Sequence, residues 1–404
     1  MSRDPHMRGI RRFCTGGGPM AAQKRVMAVF GTRPEAVKMA PLVQELRRHS
    51  GYETIVCVTG QHREQLDQVL NAFEIAPDYD LDIMEARQTL TMITNKTLRQ
   101  LEDILQKTAP DIVLVHGDTT TTFAASMAAF YQQIPIGHVE AGLRTRDKYS
   151  PYPEEMNRQL TGVLADLHFA PTQAAADNLL RENKEPEHIY ITGNTGIDAM
   201  RTTVVKNYHH EVLSRVQPGE RLIFMTAHRR ENLGEKFEQI FLAVRDIVDE
   251  FQDVRVIYPM HLNPAVREPA HRFLGGHPRI SLIEPLDVVD AHNFAARAYL
   301  ILTDSGGVQE EAPFLGVPCL VLRDTTERPE GIETGTLKLA GTDREQIYSL
   351  TSELLRDPAA YRAMAVAASP YGDGRASERI VAALGHYFGG EPRPAPFVPL
   401  GTSR

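Results

Sequence analysis

The stretch Asp304-Ser305-Gly306-Gly307-Val308-Gln309-Glu310-Glu311 decides the fold class of this chain. It follows the apolar run Tyr299–Leu302, typical of a buried parallel strand, and it precedes an apolar and acidic segment typical of a short helix. A strand that turns through small residues into a helix directs free backbone N–H groups and the positive end of the helix dipole at the turn. The stretch therefore predicts an anion site, with Glu311 placed to accept hydrogen bonds from a ribose. The alternative is a plain tight turn with Ser305 as helix N-cap.

Strands and helices alternate along the whole chain, which predicts an α/β protein with two doubly wound parallel sheets. In the first half, buried strands are predicted at Val26–Phe30, Thr54–Thr59, Ile112–His116, Ile136–Val139, Leu167–Ala170 and Ile189–Thr192. In the second half, they are predicted at Leu222–Thr226, Val254–Tyr258, Ile280–Ile283, Tyr299–Leu302 and Cys319–Leu322. In such sheets ligands bind beyond the carboxyl ends of the strands, so two sheets facing across a cleft would bring these ends together.

The chain has 404 residues, more than one hydrophobic core usually serves, so two domains are expected. We predict an N-terminal Rossmann-like domain at 24–196 and a C-terminal one at 197–369, with a last helix at 370–388 that crosses back to the first domain. Residues 1–23 hold arginines and glycines, and 389–404 are rich in proline. Both ends are predicted to be disordered extensions. The alternative for 1–23 is a targeting or binding arm.

Composition excludes several classes of protein. The formal net charge of −8 argues against a nucleic-acid-binding protein, which would carry a basic face. No apolar run approaches the roughly 20 residues that span a bilayer. The three cysteines are scattered, which suits the reducing cytoplasm and predicts neither a disulfide framework nor a metal site. No Gly-x-Gly-x-x-Gly follows the first strand and no Walker A sequence occurs, so we expect no cofactor.

Two cations follow the first strand. Gly31-Thr32-Arg33-Pro34-Glu35 opens the first helix, and Lys38 lies about one turn later. Cations at a helix N-terminus oppose the dipole, so a bound anion explains Arg33 and Lys38 better than two surface charges do.

Three carboxylates of the first half lie at or near strand ends: Asp118, Glu140 and Glu154. If they converge on one cleft, we expect them to raise each other's pKa values, which suits proton transfer near neutral pH. The alternatives are that Asp118 caps the next helix and that Glu154 only complements a helix dipole. Arg158 follows Glu154 by one helical turn.

The second half offers a cationic rim. His228 and Arg229 follow its first strand, and Arg328 follows Cys319–Leu322. A lone histidine is more often a hydrogen-bonded loop residue than a catalytic one. Together with the Ser305 turn, however, these residues suit a diphosphate, while the carboxylates of the first half face the other end of the ligand. A nucleotide diphosphate sugar fits both ends.

The sequence resembles a known family, the non-hydrolysing UDP-N-acetylglucosamine 2-epimerases of bacteria. The resemblance runs from about Lys24 to about Phe388. The motifs that carry the resemblance are Gly-Thr-Arg-Pro-Glu-Ala-Val-Lys (31–38), His-Gly-Asp-Thr (116–119), His-Val-Glu-Ala-Gly-Leu-Arg (138–144), His-Arg-Arg-Glu-Asn (228–232), Asp-Ser-Gly-Gly-Val-Gln-Glu-Glu-Ala-Pro (304–313) and Arg-Asp-Thr-Thr-Glu-Arg-Pro-Glu (323–330). The resemblance implies the two-domain GT-B architecture, UDP binding by the second domain, and a homodimer.

The resemblance also implies roles for individual residues. The catalytic set would be Asp118, Glu140, Glu154 and His228. The substrate-binding set would be Arg33, Lys38, Arg158, Leu286, Ala291, Ser305, Gly306, Gly307, Glu311 and Arg328. Ala291 stands beside the expected uracil pocket where many relatives have Phe. The branch of Gram-positive bacteria, which this chain resembles most, binds a second substrate molecule as an activator, and the matching positions are Gln61, Arg87, Gln88, Glu154, Arg229 and His261. Glu64 stands where that branch often has Gln.

The expected reaction converts UDP-N-acetylglucosamine (UDP-GlcNAc) to UDP-N-acetylmannosamine (UDP-ManNAc). Carbon 2 of the sugar has no neighbouring carbonyl group, so its direct deprotonation is hard. Loss of UDP from carbon 1 together with the carbon 2 proton, followed by re-addition, needs only a base, an acid and a hold on UDP. The alternatives are a hydrolysing 2-epimerase, a GT-B glycosyltransferase that uses a UDP-sugar donor, and a nucleotide-sugar-binding regulator.

Overall fold

The computed structural model describes residues 23–60, 63–85, 88–326, 328–366 and 369–399. Apart from Gln23, the predicted N-terminal extension lies outside these ranges. Among the described residues, no helix is both long and apolar enough to cross a membrane. Within the same ranges, no group of three or more histidine, cysteine or acidic side chains is placed to hold a metal ion.

The first sheet has seven parallel strands in the order β3-β2-β1-β4-β5-β6-β7. They are β1 (Lys24–Phe30), β2 (Tyr52–Val58), β3 (Tyr79–Asp80), β4 (Ile112–His116), β5 (Ile136–Val139), β6 (Leu167–Ala170) and β7 (Ile189–Ile191). Alternate residues of β1 belong to two separate apolar cores, because Val26, Ala28 and Phe30 face one side of the sheet and Met27 and Val29 the other. A sheet buried on both faces explains why these strands are continuous apolar runs.

The second sheet has six parallel strands in the order β10-β9-β8-β11-β12-β13. They are β8 (Arg221–Thr226), β9 (Val254–Pro259), β10 (Ile280–Ile283), β11 (Leu300–Thr303), β12 (Cys319–Val321) and β13 (Leu337–Leu339). All eleven predicted strands are present in the two sheets. The sequence missed β3 and β13, which have two and three residues.

Helices cover both faces of the sheets. They are α1 (Arg33–Arg48), α2 (Arg63–Ala72), α3 (Leu90–Thr108), α4 (Thr120–Tyr131), α5 (Glu154–Leu164), α6 (Gln173–Arg181), α7 (Thr195–Thr203), α8 (Glu235–Glu250), α9 (Pro264–Leu274), α10 (Val288–Ala296), α11 (Gly306–Leu315), α12 (Pro329–Glu333), α13 (Arg344–Arg356), α14 (Pro358–Ala365) and α15 (Ala376–Tyr387). The helix α7 spans the predicted boundary between residues 196 and 197.

In each sheet the strand order reverses at one point, between β1 and β4 and between β8 and β11. Loops that leave the carboxyl ends of these neighbouring strands diverge and open a crevice. These loops and the first turns of the helices after them carry Arg33, Asp118, His228 and the turn at 305–307, so the topology places these predicted residues at the cleft.

The last helix returns to the first sheet. Ile380 and Leu384 of α15 belong to the core beneath β1, and Asp198 of α7 accepts hydrogen bonds from the backbone N–H groups of Ala376 (3.0 Å) and Ser377 (2.6 Å). This contact ties the carboxyl end of the chain to the amino-terminal half.

The predicted disorder of 389–404 is wrong for residues 391–399. The Arg393 guanidinium donates to the backbone carbonyls of Glu187 (2.6 Å) and Pro186 (3.1 Å), and the Phe397 N–H donates to the carbonyl of Ile191 (2.8 Å). The edge of β7 offers unpaired backbone groups that this segment satisfies, which composition alone does not reveal. Residues 400–404 lie outside the described ranges.

Candidate active site

The loops after β1 and β4 are held together by one buried carboxylate. Glu35 is 2% exposed and accepts hydrogen bonds from the N–H groups of Gly31 (3.0 Å) and Thr32 (2.7 Å) and from the Thr119 hydroxyl (2.6 Å). Thr32 and Glu35 form a capping box, which starts α1 at this position. Burial raises the pKa of Glu35, while its hydrogen bonds act in the opposite direction. Glu35 is a site residue that the sequence did not predict, although the capping-box spacing of Thr32 and Glu35 can be read from it.

Arg33 is the first residue of α1 and is half-buried at the cleft. Burial lowers the pKa of its guanidinium. No carboxylate in the described part of the chain forms an ion pair with it. A partly buried cation of this kind fits the prediction of an anionic ligand.

Lys38, about one turn further along α1, contacts the carboxylate of Glu140 and lies 3.6 Å (Nζ to Oε2) from that of Glu310. Burial alone would lower the pKa of Lys38, but the two carboxylates outweigh it and hold this pKa above its ordinary value. Lys38 therefore stays protonated, and its charge is engaged by acids instead of pointing to a diphosphate.

The pKa of Glu140 differs from the expectation for the three acids of the first half. Burial would raise its pKa, but Lys38, with a smaller contribution from His116, holds this pKa below the usual range. The prediction of a pKa raised by neighbouring carboxylates is therefore wrong for Glu140, because a cation lies between it and Glu310. Glu140 is therefore ionised at neutral pH, the form in which a carboxylate can accept a proton.

The backbone at Glu140 is strained. Its φ of 63° lies in the left-handed region, which non-glycine residues seldom adopt. Such conformations persist where the surrounding structure enforces them, and they gather at active sites. Glu140 directly follows β5, and its Oε2 lies 3.8 Å from Nε2 of His116. Burial lowers the pKa of His116 to about 4, so this imidazole is neutral at pH 7.

Asp118 is held by α5. Its carboxylate contacts the guanidinium of Arg158, which also lies 3.1 Å from Oε2 of the fully buried Glu155. The Asp118 backbone carbonyl accepts a hydrogen bond from the Asn157 side chain (3.0 Å). The alternative role of helix cap does not apply, because the hydroxyl of Thr119 caps α4. Predicted residues Asp118 and Arg158 are thus brought into direct contact.

Glu154 is the first residue of α5, as the sequence predicted. One of its carboxylate oxygens, Oε2, is buried, and within the described ranges it has no hydrogen-bond partner. A carboxylate oxygen in this state is exceptional in a folded protein and is a candidate for contact with a ligand.

In the second half, Asp304 shapes the loop after β8. This residue is fully buried, and its Oδ2 accepts hydrogen bonds from the N–H groups of His228 (2.9 Å) and Arg229 (2.8 Å) and from the Asn232 side chain (3.1 Å). The His228 ring stacks on His261 with centroids 5.7 Å apart. Burial lowers the pKa of His228, against the opposing effect of Asp304. His228 is therefore mostly neutral near pH 7 and able to exchange protons.

The turn after β11 has the expected form. Ser305 occupies the N-cap position of α11, yet its side chain makes no capping hydrogen bond in this structure. A Cβ added to Gly306 would lie 3.0 Å from Cζ of Arg328, so this guanidinium lies directly over the turn. A Cβ added to Gly307 would lie 3.6 Å from Oε1 of Glu311, at ordinary contact distance. Uncapped N–H groups beneath an arginine are suited to bind an anion.

Glu311 lies one turn into α11, with Oε1 3.6 Å from Nε2 of His292. Burial would raise its pKa, but His292 keeps the pKa below the usual value. Ala291 precedes His292 on α10, and Leu286 packs beside the core beneath β11. The predicted ribose and base contacts therefore lie on adjacent elements.

Comparison with known proteins identifies the family. The sequence model described as UDP-N-acetylglucosamine 2-epimerase matches residues 44–385. The UDP-N-acetylglucosamine 2-epimerase of Bacillus subtilis is 63% identical over 365 residues, covering 90% of this chain and 96% of the relative. This chain belongs to the UDP-N-acetylglucosamine 2-epimerase family.

Solved structures agree with this assignment. A 2-epimerase structure from Listeria monocytogenes is 59% identical with a TM-score of 0.88, covering 93% of this chain and all of that one. An epimerase from Neisseria meningitidis, solved with UDP-GlcNAc bound, is 48% identical with a TM-score of 0.82 and covers 89% of this chain and 99% of that one. The two Rossmann-like domains of this chain have the GT-B architecture.

The predicted activator positions are only partly visible. Arg229 and His261 lie next to His228, and the Gln88 side chain donates to the carbonyl of Ile83. Gln61 and Arg87 lie outside the described residues, as does the side chain of Glu64.

Four polar residues of the epimerase cleft were not predicted from the sequence: His116, Asn194, His292 and Glu310. Asn194 donates from Nδ2 to Oε2 of Glu140 (3.1 Å) and of Glu310 (2.9 Å). Glu310 directly precedes the predicted Glu311 in the stretch 304–311, so the sequence already showed an acid at this position. No local signal marked Asn194, because its role depends on two residues from opposite halves of the chain.

Proposed function

We propose that this protein interconverts UDP-GlcNAc and UDP-ManNAc by inversion at carbon 2, without net hydrolysis. The observation that carries the proposal is the continuous polar network Glu140–Lys38–Glu310–Arg328. It runs from the carboxylates of the first half to the anion-binding turn of the second half. A sugar that bears a diphosphate has reacting carbons at one end and phosphates at the other, which matches this polarity.

In the proposed first step, a base removes the proton from carbon 2 while the carbon 1–oxygen bond breaks. UDP leaves with that electron pair, and a double bond forms between carbons 1 and 2. In the second step, UDP adds back to carbon 1 and a proton is delivered to the opposite face of carbon 2. Asp118, Glu140, Glu154 and His228 are the proposed proton donors and acceptors.

Retention of the expelled UDP separates this reaction from hydrolysis. Arg33, Arg328 and the uncapped N–H groups of the Ser305 turn supply positive charge that can hold the diphosphate between the two steps. The UDP-GlcNAc bound to the Neisseria relative supports the choice of substrate. We further propose that the protein acts in the cytoplasm as a homodimer and supplies ManNAc units for cell-surface polysaccharide.

Incubation with UDP-GlcNAc alone in heavy water tests the reaction. We expect deuterium at carbon 2 in both epimers, because the returning proton comes from the solvent, and we expect no acceptor to be required. Free ManNAc and UDP as main products would favour a hydrolysing enzyme. Absence of deuterium would favour a glycosyltransferase or a binding protein.

We also propose a second UDP-GlcNAc site that activates the enzyme, formed by Gln61, Arg87, Gln88, Arg229 and His261 with Glu154. The described members Arg229 and His261 support it through their position beside His228. An activator in this position would contact both halves of the chain.

A further inference from the structure

Glu310 occupies an unexpected position for an acid. It lies just beyond the first turn of α11, next to the turn proposed to bind a diphosphate, and is 5% exposed. A negative charge there repels the phosphates, and its burial carries a desolvation cost. An acid with two such costs requires a compensating role.

The contacts of Glu310 point to that role. Its Oε1 accepts a hydrogen bond from Nε of Arg328 (2.9 Å), within the second half of the chain. Its Oε2 accepts one from the side chain of Asn194 (2.9 Å) and lies 3.6 Å from Nζ of Lys38. Lys38 and Asn194 both reach onward to Glu140, so each Glu310 oxygen serves a different part of the site.

We propose that Glu310 is a positioning residue that couples the proton-transfer part of the site to the diphosphate part. It orients Lys38 and, through Asn194, the Glu140 carboxylate on one side, and it holds Arg328 over Gly306 on the other. Its contacts with Asn194 and Lys38 join the two halves of the chain, whereas its contact with Arg328 lies within the second half. The role rests on the proposed epimerisation.

Such a role predicts opposite effects on binding and turnover. Glu310→Gln can keep the oxygen that accepts from Arg328 and replaces the oxygen that faces Lys38 and Asn194 by an NH2 group. Arg328 then stays over Gly306, and the loss of one negative charge near the diphosphate keeps or strengthens UDP binding. Turnover falls because Lys38 and Glu140 lose their alignment, and a displacement of about 1 Å can cost about 10²-fold in rate. A residue that only stabilises the fold would weaken both quantities together.

The experiment measures kcat for UDP-GlcNAc, the Kd of UDP and the melting temperature of wild type and variants. For Glu310→Gln we expect kcat to fall by about 10- to 100-fold, with the Kd of UDP unchanged or lower. Asn194→Ser retains a side chain that can cap α7 but removes the amide that bridges the two carboxylates. It should reduce kcat in the same way without weakening UDP binding.

Glu330→Gln is the matched control. Glu330 accepts a hydrogen bond from the Thr172 hydroxyl (3.0 Å), so it is another acid that joins the two halves, but it lies outside the network. Its kcat should stay close to that of wild type. Parallel losses of kcat and UDP affinity in Glu310→Gln, or a kcat close to wild type, would overturn the positioning role. A wild-type protein that shows no epimerisation would instead overturn the proposed function.

Discussion

At Lys38 two opposing effects act on one ammonium group. Burial favours the neutral amine, while the carboxylates of Glu140 and Glu310 favour the charged form and prevail. The same charge lowers the pKa of Glu140, so the pair is ionised together. At this scale the function depends on how charges are paired, and the count of acids in the cleft does not reveal the pairing.

Removal of the Glu140 charge should therefore reduce turnover much more than UDP affinity. In Glu140→Gln the amide cannot accept the carbon 2 proton, and we expect turnover to fall by about 10²–10⁴. UDP affinity should change little, because the proposed phosphate contacts come from Arg33, Arg328 and the Ser305 turn. Initial rates and a UDP titration measure the two quantities.

Glu353→Gln is a suitable control, since Glu353 pairs with Lys338 at the protein surface. A Glu140→Gln variant with turnover as high as this control would show that Glu140 has no proton-transfer role.

Among the elements, the segment 391–399 differs most from its expected behaviour. Its prolines lack N–H groups, but on the outside of an edge strand such donors are not needed. Phe397 is 5% exposed and lies against Gly193, and the Arg379 guanidinium sits 5.5 Å from its ring. Gly193 directly precedes Asn194, so the segment supports the connection between the two halves of the chain.

Phe397→Ala should destabilise the protein by about 3 kcal/mol, since a buried aromatic ring is lost and its cavity cannot close fully. Urea unfolding followed by circular dichroism measures the change. Val398→Ala provides the control, because Val398 is 62% exposed and should have little effect. Equal stabilities of the two variants would mean that the segment contributes nothing to folding.

At the scale of the whole molecule, the candidate site lies between two separately packed apolar cores. In the network Glu140–Lys38–Glu310–Arg328, the contact between Lys38 and Glu310 joins the two halves, so we expect substrate binding and closure of the cleft to be coupled. Closure also excludes water from the proposed unsaturated intermediate.

If a second UDP-GlcNAc binds beside Arg229 and His261, it should favour closure and make the rate depend sigmoidally on UDP-GlcNAc. Couplings of this kind are typically about 1–3 kcal/mol. UDP-ManNAc alone should then react slowly until traces of UDP-GlcNAc are added. Steady-state kinetics from both directions test this, and hyperbolic curves that Arg87→Ala leaves unchanged would exclude the activator site.

The sequence by itself determined the repeated strand–helix pattern and the turn at Ser305–Gly307. These depend on local periodicity and on small residues, so they can be read along the chain. From them followed two parallel sheets with polar loops at the carboxyl ends of the strands.

Only the tertiary structure decided the pairings. Lys38 meets Glu140 and Glu310, and Asn194 bridges the two acids, although these residues are far apart in the sequence. Lys38 and Glu140 meet within the first half of the chain, and this pairing reversed the expected pKa direction of Glu140. The contacts of Glu310 with Lys38 and Asn194 depend instead on how the two halves pack. The edge of β7 likewise decided that residues 391–399 are ordered, because the segment finds its hydrogen-bond partners only on the assembled sheet.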